Sequence, residues 1–455
     1  MLIKSINPAT GELIREYEEM QVSQVDDMLD ESVMAYHLWR KEPINKRQEF
    51  VQRLGDLLIT QKEKLATIIS LEMGKPIQQS RAEIEKSASL CQYYADNAAS
   101  FLESQYIETE FKKSYVAFQP LGVVLAIMPW NYPFWQVLRF SIPALLAGNS
   151  VVLKHASNVS GCSVAIEQII KEAEFPTKVF QSLILTSSRI GGVISDRRVQ
   201  AVTFTGSTPA GRSVGVLAGK SIKKSVLELG SSDPAIILAD ANLTHAAEAC
   251  VKARLANAGQ SCISPKRFIV EAPVYEEFQH LVVEGFKKVI IGDPMDEKTQ
   301  IGPLARVNLR LDLEAQVNNS IEKGSKILLG GGEAPLGGNY YMPTVLGEVQ
   351  KGAPAWNEEL FGPVAALIKA NNVEEAIRIA NDTTFGLGAS IYTEDLERAQ
   401  QIAENELEAG TCFVNDFVRS DPRLPFGGIK ESGYGRELSL YGLREFVNIK
   451  TIVVS

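Results

Sequence analysis

Between Val123 and Leu229 short apolar runs alternate with amphipathic stretches, and this alternation restricts the fold more than any other feature of the chain. The runs are Val123 to Met128, Ser150 to Lys154, Val179 to Leu185, Val199 to Phe204 and Ser225 to Leu229; the stretches between them fall near 136–147, 160–173, 188–196 and 209–218. Apolar runs of this length suit buried strands and amphipathic stretches suit the helices that cover them, which predicts a parallel sheet with crossover helices. A second alternating region follows, with Pro234 to Leu238, a helical stretch over 244–257, Arg267 to Val270, a helix-like 274–290 and Lys326 to Leu329. Residues 22–104 read as a helical lead-in, with Phe50, Leu54, Leu57 and Leu58 at helical spacing. The 455 residues exceed what one core usually holds, about 250 to 300. Two α/β units are therefore expected, joined near Gly230, Ser231 and Ser232.

Several function classes are disfavoured. The net charge is −9 and the basic residues are scattered, so no footprint for nucleic acid or an anionic membrane is present. No apolar run reaches about 18 residues and Met1 to Glu12 lacks the order of a secretory signal, so a cytoplasmic protein is expected. The five cysteines, Cys91, Cys162, Cys250, Cys262 and Cys412, are widely spaced without a CxxC pair or a histidine at ligand spacing. Neither a disulfide framework nor a metal site is expected. Only four histidines occur, His37, His155, His245 and His280, which disfavours a Ser-His-Asp hydrolase.

Three segments carry chemistry. In Asn257-Ala-Gly-Gln-Ser-Cys262 a cysteine follows small and polar residues at the end of a helical stretch, where a thiolate could be presented on a turn; a buried inert thiol is equally open from the segment alone. In Ser225-Val-Leu-Glu-Leu-Gly230 one carboxylate, Glu228, interrupts an apolar strand. If buried, it would be a stronger base than a solvated one; an outward-facing glutamate is the alternative. Phe204-Thr-Gly-Ser-Thr-Pro-Ala-Gly211 follows a strand, and Pro209 suits a first helical turn whose N–H groups can hold an anion. Lys154, at a strand end, stands where parallel sheets place ligand contacts, although a lone lysine there is otherwise solvated.

Together these segments resemble the aldehyde dehydrogenase superfamily. The resemblance runs from Asn7-Pro-Ala-Thr-Gly-Glu12 to the C-terminus and includes Pro129-Trp-Asn-Tyr-Pro133, Glu359-Leu-Phe-Gly-Pro363, Asn381 to Gly388 and Pro425-Phe-Gly-Gly-Ile-Lys430. It implies a Rossmann-like cofactor domain over 1–104 and 121–230, an α/β catalytic domain over 231–440, and a small oligomerisation β-element over 105–120 and 441–455. It also implies a homodimer or homotetramer acting on a small-molecule aldehyde. By resemblance Cys262 is the nucleophile, Asn131 and the Cys262 backbone N–H form the oxyanion hole, and Glu228 is the base. Trp130, Lys154, Gly206 and Ser207 would contact the adenosine and phosphates of NAD or NADP, Glu359 the nicotinamide ribose and Phe361 the nicotinamide. A cysteine hydrolase remains the alternative of another class, although no histidine has a motif that pairs with Cys262.

Departures from the family pattern are informative. Ser231 replaces a glycine near the cofactor, and Ile263 follows the nucleophile, so no neighbouring cysteine is available there. Strict NAD enzymes of the family carry a glutamate three residues after Lys154, where this chain has Ser157; both NAD and NADP are expected to work. Arg139 stands where relatives acting on succinate semialdehyde carry an arginine, and a guanidinium there could hold a distal carboxylate. Ser420 and Phe426 are expected on the opposite wall. Many of those relatives carry a second arginine six residues before the nucleophile, where this chain has Ala256; Arg254 would point elsewhere. The chain looks most like a bacterial subgroup of NAD(P)-dependent succinate semialdehyde dehydrogenases; other small aliphatic or aromatic aldehydes are the alternative.

Overall fold

The structure, a computed structural model, describes residues 2–455. Five parallel strands, Val123–Met128, Ser150–His155, Phe180–Ser182, Val199–Thr205 and Lys224–Glu228, form a sheet that Gly433–Tyr434 extends antiparallel to the last of them. On the first strand Val124, Ala126 and Met128 enter one core and Val123, Leu125 and Ile127 another. A strand with both faces covered must alternate in this way, which is why the sequence shows an unbroken apolar run.

Across the sheet the five strands stand third, second, first, fourth, fifth, so strand order reverses beside Val123–Met128. Open α/β sheets bind ligands in the crevice at the carboxyl ends of the strands at such a reversal. Trp130 and Asn131, Lys154, Gly206 and Ser207, and Glu228 follow or end four of these strands. Beneath them the helices Ile44–Thr60 and Ile77–Phe101 share a core with the helix Trp135–Ala147 through Leu54, Ile84, Cys91, Val137 and Leu138.

A second sheet runs Lys326–Leu329, Thr344–Gly347, Val364–Ala370, Arg267–Glu271, Pro234–Ile237, Gly388–Tyr392, Thr411–Val414, parallel except for its first pair. A third, of three antiparallel strands, joins Gln105–Tyr106, Lys113–Pro120 and Val447–Val454. Among the described residues no helix is long and apolar enough to cross a membrane.

The structure departs from the sequence expectation at one helix end that matters. The helix expected over 244–257 spans Leu243–Leu255, and Asn257 and Ala258 take left-handed conformations at φ 54° and 52°. Left-handed backbone costs a non-glycine residue about 1 to 2 kcal/mol. Tertiary hydrogen bonds around the cysteine turn override local propensity.

Candidate active site

Cys262 sits on a turn that five side chains hold in its strained form. Asn257 donates its backbone N–H to Gln79 Oε1 (2.7 Å) and its Nδ2 to the carbonyl of Asn131 (2.8 Å). Gln260 donates Nε2 to the carbonyl of Asn257 (3.1 Å) and accepts from the Ala305 N–H (2.9 Å). The fully buried Lys266 donates to the carbonyls of Ser261 (3.0 Å) and Cys262 and stands 3.6 Å from Glu359 Oε1. Arg254, equally buried, donates to Ser264 Oγ (2.9 Å) and to the carbonyls of Leu360 (2.7 Å) and Gly362, fastening the cysteine turn to the Glu359–Pro363 segment. Burial pushes the Cys262 thiol up to about 12, against the pull of Lys266 and Arg139. It is therefore protonated at neutral pH and needs a base.

Asn131 donates Nδ2 to the carbonyl of Gln260 (3.1 Å), which fixes its amide beside the turn and leaves its second amide hydrogen available. The helix it precedes is fastened in turn by Glu83, which accepts from the N–H groups of Phe134 (2.8 Å) and Trp135 (3.0 Å) and pairs with the buried Lys75. A carboxylate at that position complements the positive end of the helix.

Glu228 ends its strand buried, 2% exposed, and neither carboxyl oxygen has a hydrogen-bond partner among the described residues. The outward-facing alternative is excluded. Burial and the neighbouring Glu437 raise it well above the usual carboxylate range, while Arg139 and Arg436 pull it down. Space for it depends on Gly427, at φ 156°, where an added Cβ would lie 2.8 Å from Glu228 Oε1. The glycine in the Pro425-Phe-Gly-Gly segment thus has a steric reason.

Arg139 is 2% exposed and pairs with Glu437, with its guanidinium 4.8 Å from the centre of the Phe426 ring. The guanidinium expected to be free for a distal carboxylate thus already has a buried acid as partner, and its Nη2 is buried without an acceptor. Arg139, Ser420, Phe426 and Cys262 line one cavity of about 850 Å³. Glu228 and Asn131 are not part of that lining. Lys86, absent from the sequence reading, also lines it and donates to Ser420 Oγ (2.8 Å). No local signal marks Lys86, because a lysine on an amphipathic helix is ordinarily solvated.

On the other side of the turn, the Trp130 and Phe361 rings meet edge-to-face with centroids 5.8 Å apart. Glu359 accepts from the Ser231 N–H (3.0 Å), and Gly230 makes room for that carboxylate. Ser231 is not among the residues of positive φ, so serine is tolerated in place of glycine. Ser207 is the N-cap of the helix Thr208–Lys220, with Gly206 just before it and Pro209 in its first turn. Ser157 opens the short turn Ser157–Val159 after the strand that carries Lys154. Lys154 is 4% exposed, not solvated, and among the described residues its side chain hydrogen-bonds only Ser187 Oγ (3.3 Å). Burial lowers it to about 8, and an anion at that strand end would hold it charged.

His155 is buried between the carbonyls of Met128 (3.2 Å) and Pro133 (2.9 Å), and burial lowers it to about 4. No histidine lines the Cys262 cavity, which removes the base a cysteine hydrolase would use. Cys91, Cys162 and Cys250 are buried and protonated, each thiol raised by burial.

A sequence model of the aldehyde dehydrogenase family matches residues 1–452. A probable NADP-dependent succinate-semialdehyde dehydrogenase of Synechocystis is 45% identical over the full length of both chains. The NAD(P)-dependent succinate semialdehyde dehydrogenase Sad of Escherichia coli is 44% identical, with 98% of this chain and 97% of that one covered. The crystal structure of succinic semialdehyde dehydrogenase from Streptococcus pyogenes with NADP+ superposes at a TM-score of 0.97, with 37% identity and 99% of each chain covered. The sheet order, the cysteine turn and the full-length matches lead to one assignment: the chain belongs to the aldehyde dehydrogenase family.

Proposed function

We propose that the protein is a cytoplasmic NAD(P)-dependent dehydrogenase that oxidises succinate semialdehyde to succinate through a thioester on Cys262. The observation that carries this reading is the single cavity in which the Cys262 thiol shares walls with Arg139 and Ser420. Similarity to proteins named for that semialdehyde supports it.

Cys262 attacks the aldehyde carbon after passing its proton to Glu228, and the oxyanion of the thiohemiacetal accepts from Asn131 Nδ2 and the Cys262 N–H. Lys154, Ser157, Gly206, Ser207 and Trp130 hold the dinucleotide, with Glu359 and Phe361 at its nicotinamide end. The buried Lys154, without a carboxylate partner, fits a phosphate there. A bound nicotinamide supplies the acceptor for the electron pair that leaves the substrate carbon. Once it has released the thiol proton to solvent, Glu228 takes a proton from the water that cleaves the thioester, and its burial suits it to that task.

The chain is proposed to divide into a cofactor domain over 1–104 and 121–230, a catalytic domain over 231–440 and an oligomerisation element over 105–120 and 441–455. Tyr106, Ile107, Phe111, Ile449 and Val453 are exposed on that element, and the strand Val447–Val454 has one unpaired edge. Apolar surface beside an open edge suits pairing with a second copy, in a homodimer or homotetramer.

Ser157→Glu should lower kcat/KM for NADP at least about tenfold, because a carboxylate would face the 2′-phosphate, while NAD is spared. Steady-state rates with both cofactors measure this, and an equal loss for the two would place Ser157 away from the ribose. Arg139→Ala tests the substrate reading. A charge-assisted hydrogen bond contributes about 1.5 to 3 kcal/mol, so kcat/KM for succinate semialdehyde should fall roughly 10- to 150-fold. Because Arg139 also neutralises Glu437 beside Glu228, butanal should lose kcat as well, but by a smaller factor. Equal losses for the two aldehydes would leave Arg139 a support for the base and nothing more.

A further inference from the structure

The cavity holds a positive charge that makes no ion pair among the described residues. Lys86 projects from the helix Ile77–Phe101, and its ammonium stands 2.8 Å from Ser420 Oγ and 4.1 Å from the centre of the Trp135 ring. Every charged group that faces it is another cation or an acid already engaged. Arg139 and Arg419 are cations, and Arg419 pairs with Asp416. Asp421 is held by Arg423 through two hydrogen bonds of 2.6 and 2.9 Å. Glu83, on the same helix as Lys86, pairs with Lys75 and caps the helix Trp135–Ala147. No ion pair to Lys86 occurs among the described residues.

A partly desolvated ammonium beside a second cation is unfavourable unless an anion joins it. Ala256 brings no charge to its part of the lining, and Arg254 is turned away into the cysteine turn. The missing counter-charge for a distal carboxylate must then come from another wall of the cavity. Ser420 already orients Lys86, and Arg139 Nη2 is a buried donor without an acceptor on that lining.

We propose that Lys86 is a specificity-determining residue of this enzyme: its ammonium, oriented by Ser420, receives the distal carboxylate of the aldehyde, with Arg139 Nη2 as the second donor. The proposal rests on the reading of this cavity as the aldehyde site. It places the selective charge on the helix Ile77–Phe101 instead of on the helix that leads to the nucleophile.

The test compares kcat/KM for succinate semialdehyde and butanal in the wild type, Lys86→Gln and Lys86→Arg, with succinate binding followed by calorimetry. Lys86→Gln should lower the ratio of the two kcat/KM values by about 10- to 100-fold, mostly through KM, and weaken succinate binding by a similar factor. Lys86→Arg should restore most of both. The pH dependence supplies a readout that a packing role would not move. Burial and Arg139 lower Lys86 to about 8, so the wild-type ratio should fall as pH rises through that value. In Lys86→Arg it should stay level, because a guanidinium does not titrate there. A ratio unmoved in Lys86→Gln, or a wild-type ratio flat across pH 8, overturns the role of Lys86 while leaving semialdehyde oxidation in place. A wild type that does not prefer the semialdehyde to butanal overturns instead the reading of the cavity on which the proposal rests.

Discussion

Cys262→Ala is expected to abolish aldehyde oxidation, with kcat reduced on the order of 10⁶-fold, the scale on which loss of a nucleophile acts in covalent catalysis. Of the five cysteines Cys262 alone lines the cavity, and the other four thiols are also raised by burial, so none can substitute. The dinucleotide should bind almost unchanged, because the residues that would hold it lie at the carboxyl ends of the first sheet and on the Glu359–Phe361 segment. Fluorescence titration with NADPH separates the two properties. An alanine variant that keeps a tenth of the wild-type kcat would show that the thiol is not the nucleophile.

Glu228→Gln should slow deacylation more than acylation and lower the steady state by roughly 10² to 10⁴, the usual contribution of a general base. Glutamine fills the same space under Gly427 but takes no proton from water. Stopped-flow should then show a burst of reduced cofactor followed by a slow phase. The wild-type pH profile carries the same information. A carboxyl raised by burial and by Glu437 is protonated, and idle as a base, at pH values where an ordinary glutamate is charged, so as pH falls kcat should drop before an ordinary glutamate would titrate. That acid limb should vanish in Glu228→Gln. Identical acylation and deacylation rates in the variant and the wild type would assign the carboxylate a structural role.

The sheet was legible because buried parallel strands must be apolar on both faces. The runs at 123–128 and 199–204 reappear as strands within a residue of their expected ends. The run over 179–185 shrinks to Phe180–Ser182, since an apolar run reports burial and not hydrogen bonding. The cysteine turn was legible as a motif but not as a conformation: nothing local in Ala258 announces φ 52°, which Gln79, Asn131 and Lys266 impose from other segments. The same holds for charge. Arg139 and Glu437, or Lys86 and Ser420, lie hundreds of positions apart, and only the fold shows that one cation is already neutralised and the other is not. His155 shows the converse, a residue whose type suggests solvent and whose two carbonyl partners remove it.

The most direct test of the central claim is steady-state kcat/KM for a panel of aldehydes with NADP and with NAD, succinate semialdehyde and butanal foremost among them. Reduced cofactor should form with both nucleotides, and succinate semialdehyde should exceed butanal by at least about tenfold, the weight of one charge-assisted contact. Equal rates for the charged and the uncharged aldehyde, or no cofactor reduction with the semialdehyde, would contradict the account.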